Sequence, residues 1–424
     1  MDRRISYKVL IVTLFSLYVS GSFADTQKSV SETGTLSAEG GAPEIYTIFV
    51  TGKTPVTNFK EADTEYKHAR EPNAAITKNG TLVVVFGPHH KVGRSDRAHQ
   101  DLICRRSTDG GNTWLPVVRI MDRGMDSLLP TCLVYDQEKG RLVLLVNVIY
   151  NAPERKSNPE KQKDGCDHYV LFSDDDGKSW SAPKPILSDI KAICIFGGGH
   201  GFQLTQGPNK GRLIVPGGVG AGKRGVFYSD DHGESWKAVR NLPGIGRAEA
   251  TGCELSDGSL IMCRRKSGFG IEKIVSDDSG MTWKHHADIL PDVWSSCNNS
   301  ILRVDDNGKV GVVYVGPLGP EKGNKYLLEQ QAKSLKRGVE DSYQTARSNG
   351  GAFLSIDDGK TFPVGKCITP AWKFGYNTMV QFPDGDIGVI FEGDEPSAGQ
   401  KGRGGKPNGI YLVRFSLDWL KRQS

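Results

Sequence analysis

Three histidines that lie close together in the sequence could bind a metal ion. His89 and His90 are adjacent, and His99 follows shortly after them. Zinc sites in proteins combine three or four ligands, and these histidines lack a third ligand at the spacing of a helix or a hairpin. We therefore expect no metal centre here, and no cofactor for the chain.

An acidic motif, Ser-x-Asp-x-Gly-x-Ser/Thr-aromatic, occurs five times. The copies are Ser107–Trp114, Ser173–Trp180, Ser229–Trp236, Ser276–Trp283 and Ser355–Phe362. Repeated aspartates could indicate calcium, but the motif lacks the spaced ligands and closing glutamate of an EF-hand loop. A hairpin turn accounts for the residue types better. Asp accepts backbone N–H groups, Gly adopts a positive φ, and the aromatic residue enters the next strand and buries apolar surface.

Short apolar runs bounded by turn residues surround these motifs. Val170–Phe172 and Val226–Tyr228 precede two copies, and turns such as Asn79-Gly80 each lead into an apolar run. The copies lie roughly 50 to 80 residues apart, the size of one propeller blade with variable loops. Two stretches interrupt the pattern: residues 154–163 predict an exposed loop, and residues 326–339 predict a short amphipathic helix.

Eight cysteines are scattered without a Cys-x-x-Cys pair or the spacing of a zinc site. Most lie in apolar, strand-like stretches, which predicts buried thiols. Cys253 and Cys263 flank the Asp257-Gly258 turn and could face each other across a hairpin, but we do not predict a disulfide between them. The other cysteines are Cys104, Cys132, Cys166, Cys194, Cys297 and Cys367.

The first 24 residues are typical of a secretory signal peptide. Basic residues within 3–8 precede an apolar run at 9–19, and residues 22–24 (Ser-Phe-Ala) form a small-x-small cleavage site. The run is too short to span a bilayer, and an uncleaved anchor is the alternative. We expect a secreted or periplasmic protein with no membrane span in the mature chain and a flexible lead-in over residues 25–44. The net charge of +5 is spread along the chain, which argues against a nucleic-acid partner.

The five motifs resemble the Asp-box repeats of sialidases (neuraminidases), and the resemblance extends from about Ile45 to Leu420. It implies an all-β fold: a six-bladed β-propeller of four-stranded antiparallel sheets over residues 45–424, with the chain ends closing the sixth blade. The run from Phe415 to Leu420 resembles the closing strand of the family. Because Asp boxes also occur in non-enzymatic propellers, they do not by themselves imply catalysis.

Ionisable residues between the repeats match the sialidase pattern more specifically. The resemblance implies that three arginines, Arg70, Arg265 and Arg347, bind the substrate carboxylate and that Glu392 braces Arg70. Arg264 is adjacent to Arg265, and a one-residue shift would exchange them. Because side chains alternate along a strand, only one of the two can point into the site, and Arg265 is favoured.

The resemblance also implies the residues that perform the reaction. Tyr376 matches the nucleophile, Glu249 the glutamate that withdraws its proton, and Asp96 the acid/base aspartate. Considered alone, each would be an ordinary core, loop or turn residue; together at these positions they indicate a functional site. A neutral phenol avoids the repulsion that a carboxylate nucleophile would meet at an anionic sugar, and sialidases are the glycosidases known to use one.

The expected function is therefore that of a retaining exo-sialidase acting on sialylated glycans, with an unknown oligomeric state. Three positions depart from the family pattern. Glu71 replaces a hydrophobic residue after the first arginine and should point away from the site if the strand alternates regularly. His89 stands near a usual further arginine, and Leu129 stands where the family has an aspartate. These changes leave open a related sugar acid (Kdn or Kdo) as substrate, a glycan-binding propeller without turnover, or a protein-interaction propeller.

Overall fold

A computed structural model describes residues 41–56, 66–90, 98–150, 166–186, 200–218, 224–246, 249–266, 269–294, 297–319, 347–396 and 408–422. Several predictions lie outside these residues. They are the signal peptide, most of the lead-in, the loop at 154–163, the helix at 326–339, the side chain of Cys166, and the residues Cys194 and Asp96.

Four separate four-stranded antiparallel sheets form blades 1 to 4. Within each sheet the strands follow one another in sequence order, and the first strands of neighbouring blades contact one another around the centre. The strands are numbered in chain order, and β1 belongs to blade 6. Blade 1 contains β2 (His68–Ile76), β3 (Leu82–His89), β4 (Leu102–Ser107) and β5 (Val118–Met121). Blade 2 contains β6 (Ser127–Asp136), β7 (Arg141–Ile149), β8 (Cys166–Ser173) and β9 (Lys184–Pro185). Blade 3 contains β10 (Phe202–Gln203), β11 (Leu213–Gly218), β12 (Arg224–Ser229) and β13 (Lys237–Arg240). Blade 4 contains β14 (Ala250–Glu254), β15 (Leu260–Arg264), β16 (Phe269–Ser276) and β17 (Lys284–Trp294).

Blades 5 and 6 share one long strand and therefore form a single seven-stranded sheet. Its strands are β18 (Ser300–Asp306), β19 (Lys309–Pro317), β20 (Ser348–Ser355), β21 (Val364–Gln381), β22 (Ile387–Asp394), β23 (Gly409–Phe415) and β1 (Glu44–Val50). The first half of β21 pairs with β20 and the second half with β22, and the two pairings meet at Lys373. One strand thus closes blade 5 and opens blade 6.

The two ends of the described chain close the propeller together. β1 pairs antiparallel with β23, so that the N-terminal strand becomes the outermost strand of blade 6. This confirms the prediction of a sixth blade built from both chain ends. It also explains why only five Asp boxes occur: the turn between third and fourth strands cannot exist in blade 6, where these strands come from opposite ends of the chain.

Each Asp box forms the turn between the third and fourth strands of its blade, as predicted. In the first box, the hydroxyl of Ser107 donates to Asp109 (2.7 Å) and accepts from the N–H of Gly111 (2.8 Å). The carboxylate of Asp109 also accepts from the N–H and hydroxyl of Thr113. The same bonds recur in the other four boxes. Both carboxylate oxygens are thus occupied within the turn.

The hydrophobic core of the described residues lies between the blades as six large clusters, each built from two neighbouring blades. The aromatic residue that ends each Asp box packs against one of them. Trp236, for example, is 1% exposed between blades 2 and 3, and its indole N–H donates to the carbonyl of Gly233. Five described cysteines are buried free thiols, as predicted, whereas Cys367 is exposed. Cys253 and Cys263 form no disulfide.

The last described segment differs from the prediction. Strand β23 ends at Phe415, and a short helix, α1 (Leu417–Lys421), follows it. The hydroxyl of Ser416 accepts from the N–H of Trp419 and caps this helix, a role that favours helix over strand. The assignment of Phe415–Leu420 to a closing strand is therefore wrong beyond Phe415.

Among the described residues, no helix combines the length and the apolar character needed to cross a bilayer.

Candidate active site

A tyrosine and a glutamate from different blades meet at the end of the blades away from the Asp boxes. Tyr376 lies in the second half of β21, and Glu249 directly precedes β14. The Tyr376 hydroxyl donates to Glu249 Oε1. Tyr376 is only 9% exposed, so that this pair is largely shielded from water.

Arg265 completes this pair, and the neighbouring Arg264 does not. Arg265 follows β15; its guanidinium pairs with Glu249 Oε2, and its backbone N–H donates to the Glu249 carbonyl (3.1 Å). Arg264 instead pairs with Glu272 on β16. The structure thus places Arg265 in the cluster, in agreement with strand alternation.

Arg70 and Glu392 form a second buried ion pair in the same cluster. Arg70 Nε lies 3.2 Å from Glu392 Oε2, and Arg70 Nη2 lies 3.3 Å from Oε1. The backbone N–H of Glu71 also donates to Glu392 (3.0 Å). Strand β2 is irregular between Arg70 and Asn73, and Glu71 has a φ of 59°. The regular alternation assumed for Glu71 is therefore wrong, because the backbone turns there to bring its amide to Glu392.

Arg347 precedes β20 and joins the cluster with fewer partners. Its Nη1 lies 4.0 Å from Glu392 Oε1, and its Nε has no hydrogen-bond partner among the described residues. The guanidinium carbons of Arg347 and Arg70 lie 5.4 and 5.2 Å from the centre of the Tyr376 ring. Two cations thus face the ring of one tyrosine, a cation–π arrangement.

Charged groups are concentrated around Tyr376. Among the described residues, the guanidinium groups of three arginines lie against the carboxylates of Glu249 and Glu392. Burial alone would raise the pKa of the Glu249 carboxyl, but the Arg265 charge and the Tyr376 hydrogen bond hold it below its usual value. Burial and the charge of Glu249 raise the pKa of the Tyr376 phenol well above its usual value, against the opposing effect of Arg265 and Arg347. The resting state is a neutral phenol that donates to a carboxylate.

Several residues that sequence reasoning missed support this cluster. The carbonyl of Asn377, the residue after Tyr376, accepts from Ser300 Oγ (2.9 Å) and Asn298 Nδ2 (3.4 Å), which joins β21 to β18. Cys297 is buried beside them; burial raises the pKa of its thiol to about 11, and the charges of Arg347 and other site residues act on it. Nothing in the local sequence distinguishes Cys297 from the other buried cysteines.

Three further positions were singled out from the sequence. Asp96 falls between His90 and Ala98, outside the described residues. His89 ends β3 and is fully buried. Leu129 is 5% exposed on β6 and packs with Ile149.

His90, His99 and Asp101 form a second cluster in blade 1, between the end of β3 and the start of β4. Their ligand atoms lie within 4.8 Å of one another, so the expectation that these histidines lack a third ligand is wrong. The arrangement nevertheless suits a metal poorly. The imidazole rings of His90 and His99 stack 3.9 Å apart, nearly parallel, and cannot both direct a lone pair at one ion. Asp101 Oδ2 also accepts from the Tyr66 hydroxyl (2.7 Å) and lies 3.3 Å from Arg119 Nη2.

Comparison with known proteins identifies the family to which this chain belongs. The model of a BNR repeat-like domain matches residues 80–389. A sialidase of Micromonospora viridifaciens is 30% identical over 407 residues, covering 90% of this chain and 55% of that protein. The anhydrosialidase of Macrobdella decora is 28% identical, covering 53% of this chain and 29% of that protein. An intramolecular trans-sialidase from Ruminococcus gnavus superposes with a TM-score of 0.68 at 18% identity, over 92% of this chain and 100% of that chain.

The chain belongs to the sialidase family with BNR repeats. It spans about half the length of the Micromonospora relative and less than a third of the Macrobdella relative.

Proposed function

We propose that this protein is an exo-sialidase that removes a terminal α-linked sialic acid from glycans with retention of configuration. The observation that supports the proposal most directly is the convergence of three arginines on one tyrosine–glutamate pair. Arg265 pairs with Glu249, and the guanidinium groups of Arg70 and Arg347 lie over the Tyr376 ring. Guanidinium groups concentrated in this way favour an anionic ligand, and the carboxylate of a sialic acid is such a ligand.

The three arginines would bind the carboxylate on the anomeric carbon of the sugar. Guanidinium groups are always protonated and match a carboxylate with two parallel hydrogen bonds. Arg347 is best suited to make a new bond, since its Nε has no partner among the described residues. Two hydrogen bonds to Glu392 keep the Arg70 guanidinium in place. Binding would thus hold the anomeric carbon over Tyr376.

Tyr376 would then attack the anomeric carbon as Glu249 takes its proton. The existing hydrogen bond already points this proton at Glu249 Oε1. Asp96 would protonate the departing glycosidic oxygen and later remove a proton from the water that breaks the tyrosyl–sugar bond. Glu249 would return the proton to Tyr376. Two displacements at one carbon retain its configuration.

Two alternatives concern the product and the sugar. The Ruminococcus gnavus neighbour is an intramolecular trans-sialidase, and a leech homologue is described in complex with 2,7-anhydro-Neu5Ac. If the site excludes water after the first step, a hydroxyl of the sugar itself would displace Tyr376. The replacements at His89 and Leu129 further leave Kdn or Kdo as candidate sugars.

The test is release of product from a fluorogenic N-acetylneuraminic acid glycoside by the wild type and by Tyr376→Phe. We expect turnover by the wild type and a loss of at least about 10³-fold in the variant, because no oxygen remains to attack. Mass spectrometry of the product distinguishes the free sugar acid from its anhydro form. If the wild type cleaves only the Kdn or Kdo glycoside, the substrate is that sugar acid and not N-acetylneuraminic acid. A wild type that binds but cleaves none of the three would make the protein a glycan-binding propeller.

Export fits the proposed substrate, since terminal sugars of glycans face the outside of cells. Cleavage of the first 24 residues, read by N-terminal sequencing of the exported protein, tests this part of the proposal.

A further inference from the structure

We propose that the buried Arg264–Glu272 pair is a positioning device that holds Glu249 in place for the reaction. This inference rests on the proposed function, in which Glu249 accepts the Tyr376 proton. Arg264 and Glu272 lie opposite each other on β15 and β16, and they are 1% and 0% exposed. Neither residue contacts the cluster of Tyr376 in the described structure.

Glu272 binds the loop that leads to Glu249. Its Oε1 accepts from the N–H of Ile245 (2.5 Å), and its Oε2 accepts from the N–H of Gly246 (2.8 Å). A side chain at Gly244 or Gly246 would overlap the Glu272 carboxylate, so that glycine is required for this close approach. The loop therefore passes directly over the buried carboxylate.

Two arginines bind the carbonyl groups of the same loop. Arg264 donates to the carbonyl of Pro243, and Arg224 donates to that of Gly244. Every residue from Pro243 to Gly246 thus has a backbone group bound to a charged side chain. Glu249 follows Gly246 by three residues in the sequence, so that the bound segment lies close along the chain to the proposed base.

Arg264 also lies next to the residue that follows Glu249 in the chain. Ala250, which follows Glu249, lies opposite Arg264 in the β14–β15 register. The N–H of Arg265 donates to the Glu249 carbonyl. The adjacent arginines thus have different roles. Arg265 pairs with the Glu249 side chain, and Arg264 binds the backbone before Glu249 and pairs with the strand residue after it. A displacement of about 1 Å in a reacting group can cost about 100-fold in rate.

Glu254 provides a matched control at the opposite end of β14. It is 4% exposed and accepts from two consecutive backbone N–H groups, those of Thr205 (2.8 Å) and Gln206 (3.2 Å). Arg303 lies 3.8 Å from it. Glu254→Gln and Glu272→Gln therefore remove the same kind of buried carboxylate, but only the second lies at the loop of Glu249.

The experiment measures kcat, KM, the pH profile of kcat/KM and thermal unfolding for the wild type, E272Q and E254Q. We expect both variants to be destabilised, but only E272Q to lose about 10- to 100-fold in kcat, with KM nearly unchanged. Its acid limb should also move to higher pH, since a Glu249 less tightly held by Arg265 has a pKa closer to the usual value. If E272Q does not fold, R264K serves instead, because an ammonium keeps the charge but not all the guanidinium contacts.

The possible results separate this inference from the proposed function. If the wild type is active and depends on Tyr376, but E272Q or R264K behaves like E254Q in kcat and acid limb, the positioning role is wrong and the proposed function stands. If the wild type cleaves no sugar-acid glycoside, the proposed function is wrong, and the positioning role is overturned with it.

Discussion

The two ends of the propeller use charged side chains in opposite ways. At the Asp-box end, Asp278 binds the N–H and hydroxyl of Thr282, four residues away. At the other end, Arg70 pairs with a glutamate 322 residues away, and Tyr376 binds one 127 residues away. The first arrangement satisfies its charge inside one turn. The second brings charges from different blades into one largely buried cluster, an arrangement typical of a functional site rather than of a structural turn.

The largest effect that would sharpen this comparison is expected from Glu249→Gln. An amide cannot accept the Tyr376 proton, so that kcat should fall by about 10² to 10⁴-fold. The melting temperature should also fall, because the amide keeps the shape of the side chain but leaves the largely buried charge of Arg265 without this carboxylate. Kinetics with the fluorogenic glycoside, together with a melting curve, measure both effects. Retention of more than a tenth of kcat would remove Glu249 from the proposed mechanism.

Arg347→Lys should produce the next largest effect. An ammonium keeps the positive charge but loses the paired donors that match a carboxylate, so kcat/KM should fall by about 10- to 100-fold. Arg141→Lys is the matched control, since Arg141 makes a two-atom contact with the exposed Asp174 at the Asp-box end. Equal kinetics for both variants would contradict a carboxylate-binding role for Arg347.

Asp278→Ala tests the other end of blade 4 and should change stability but not catalysis. The variant loses the bonds to Ser276 and Thr282 and should lower the free energy of unfolding by about 1–3 kcal/mol. Asp277→Ala is the control, since the exposed pair of Asp277 with Lys284 should contribute less than about 1 kcal/mol. Urea unfolding measures the difference. A large fall in kcat for Asp278→Ala would mean that the two ends are coupled.

The smallest expected effect is on the acid stability of the Asp-box turns. Although partial burial opposes it, hydrogen bonds from neighbouring hydroxyl and N–H groups lower the pKa of the box aspartates. A carboxyl with a lowered folded pKa contributes stability above its unfolded pKa of about 4, and that contribution is lost as the pH falls through the folded value. Urea unfolding at pH 6, 4 and 3 should show stability lost below about pH 4. Asp278→Ala should lose less than the wild type over this interval; an equal loss would assign the effect to other carboxyls.

Much of the fold could be predicted because its signals are local. Each Asp box contains its donors and acceptors within eight residues, and turns such as Asp384-Gly385 need only a residue of positive φ. The shared strand β21 and helix α1 could not be predicted in this way. Whether Val364–Gln381 bends into one blade or joins two depends on its hydrogen-bonding partners β20 and β22, which lie elsewhere in the chain.

The sequence by itself determined the repeated turns, the apolar strands and, through resemblance, which ionisable residues to examine. The tertiary structure alone decided which of them meet. Arg264 and Arg265 are adjacent and chemically identical, yet one is buried against Glu272 and the other reaches Glu249. The physical reason is that alternation along a strand specifies opposite faces, whereas closure of the propeller specifies which face meets the charges of the other blades.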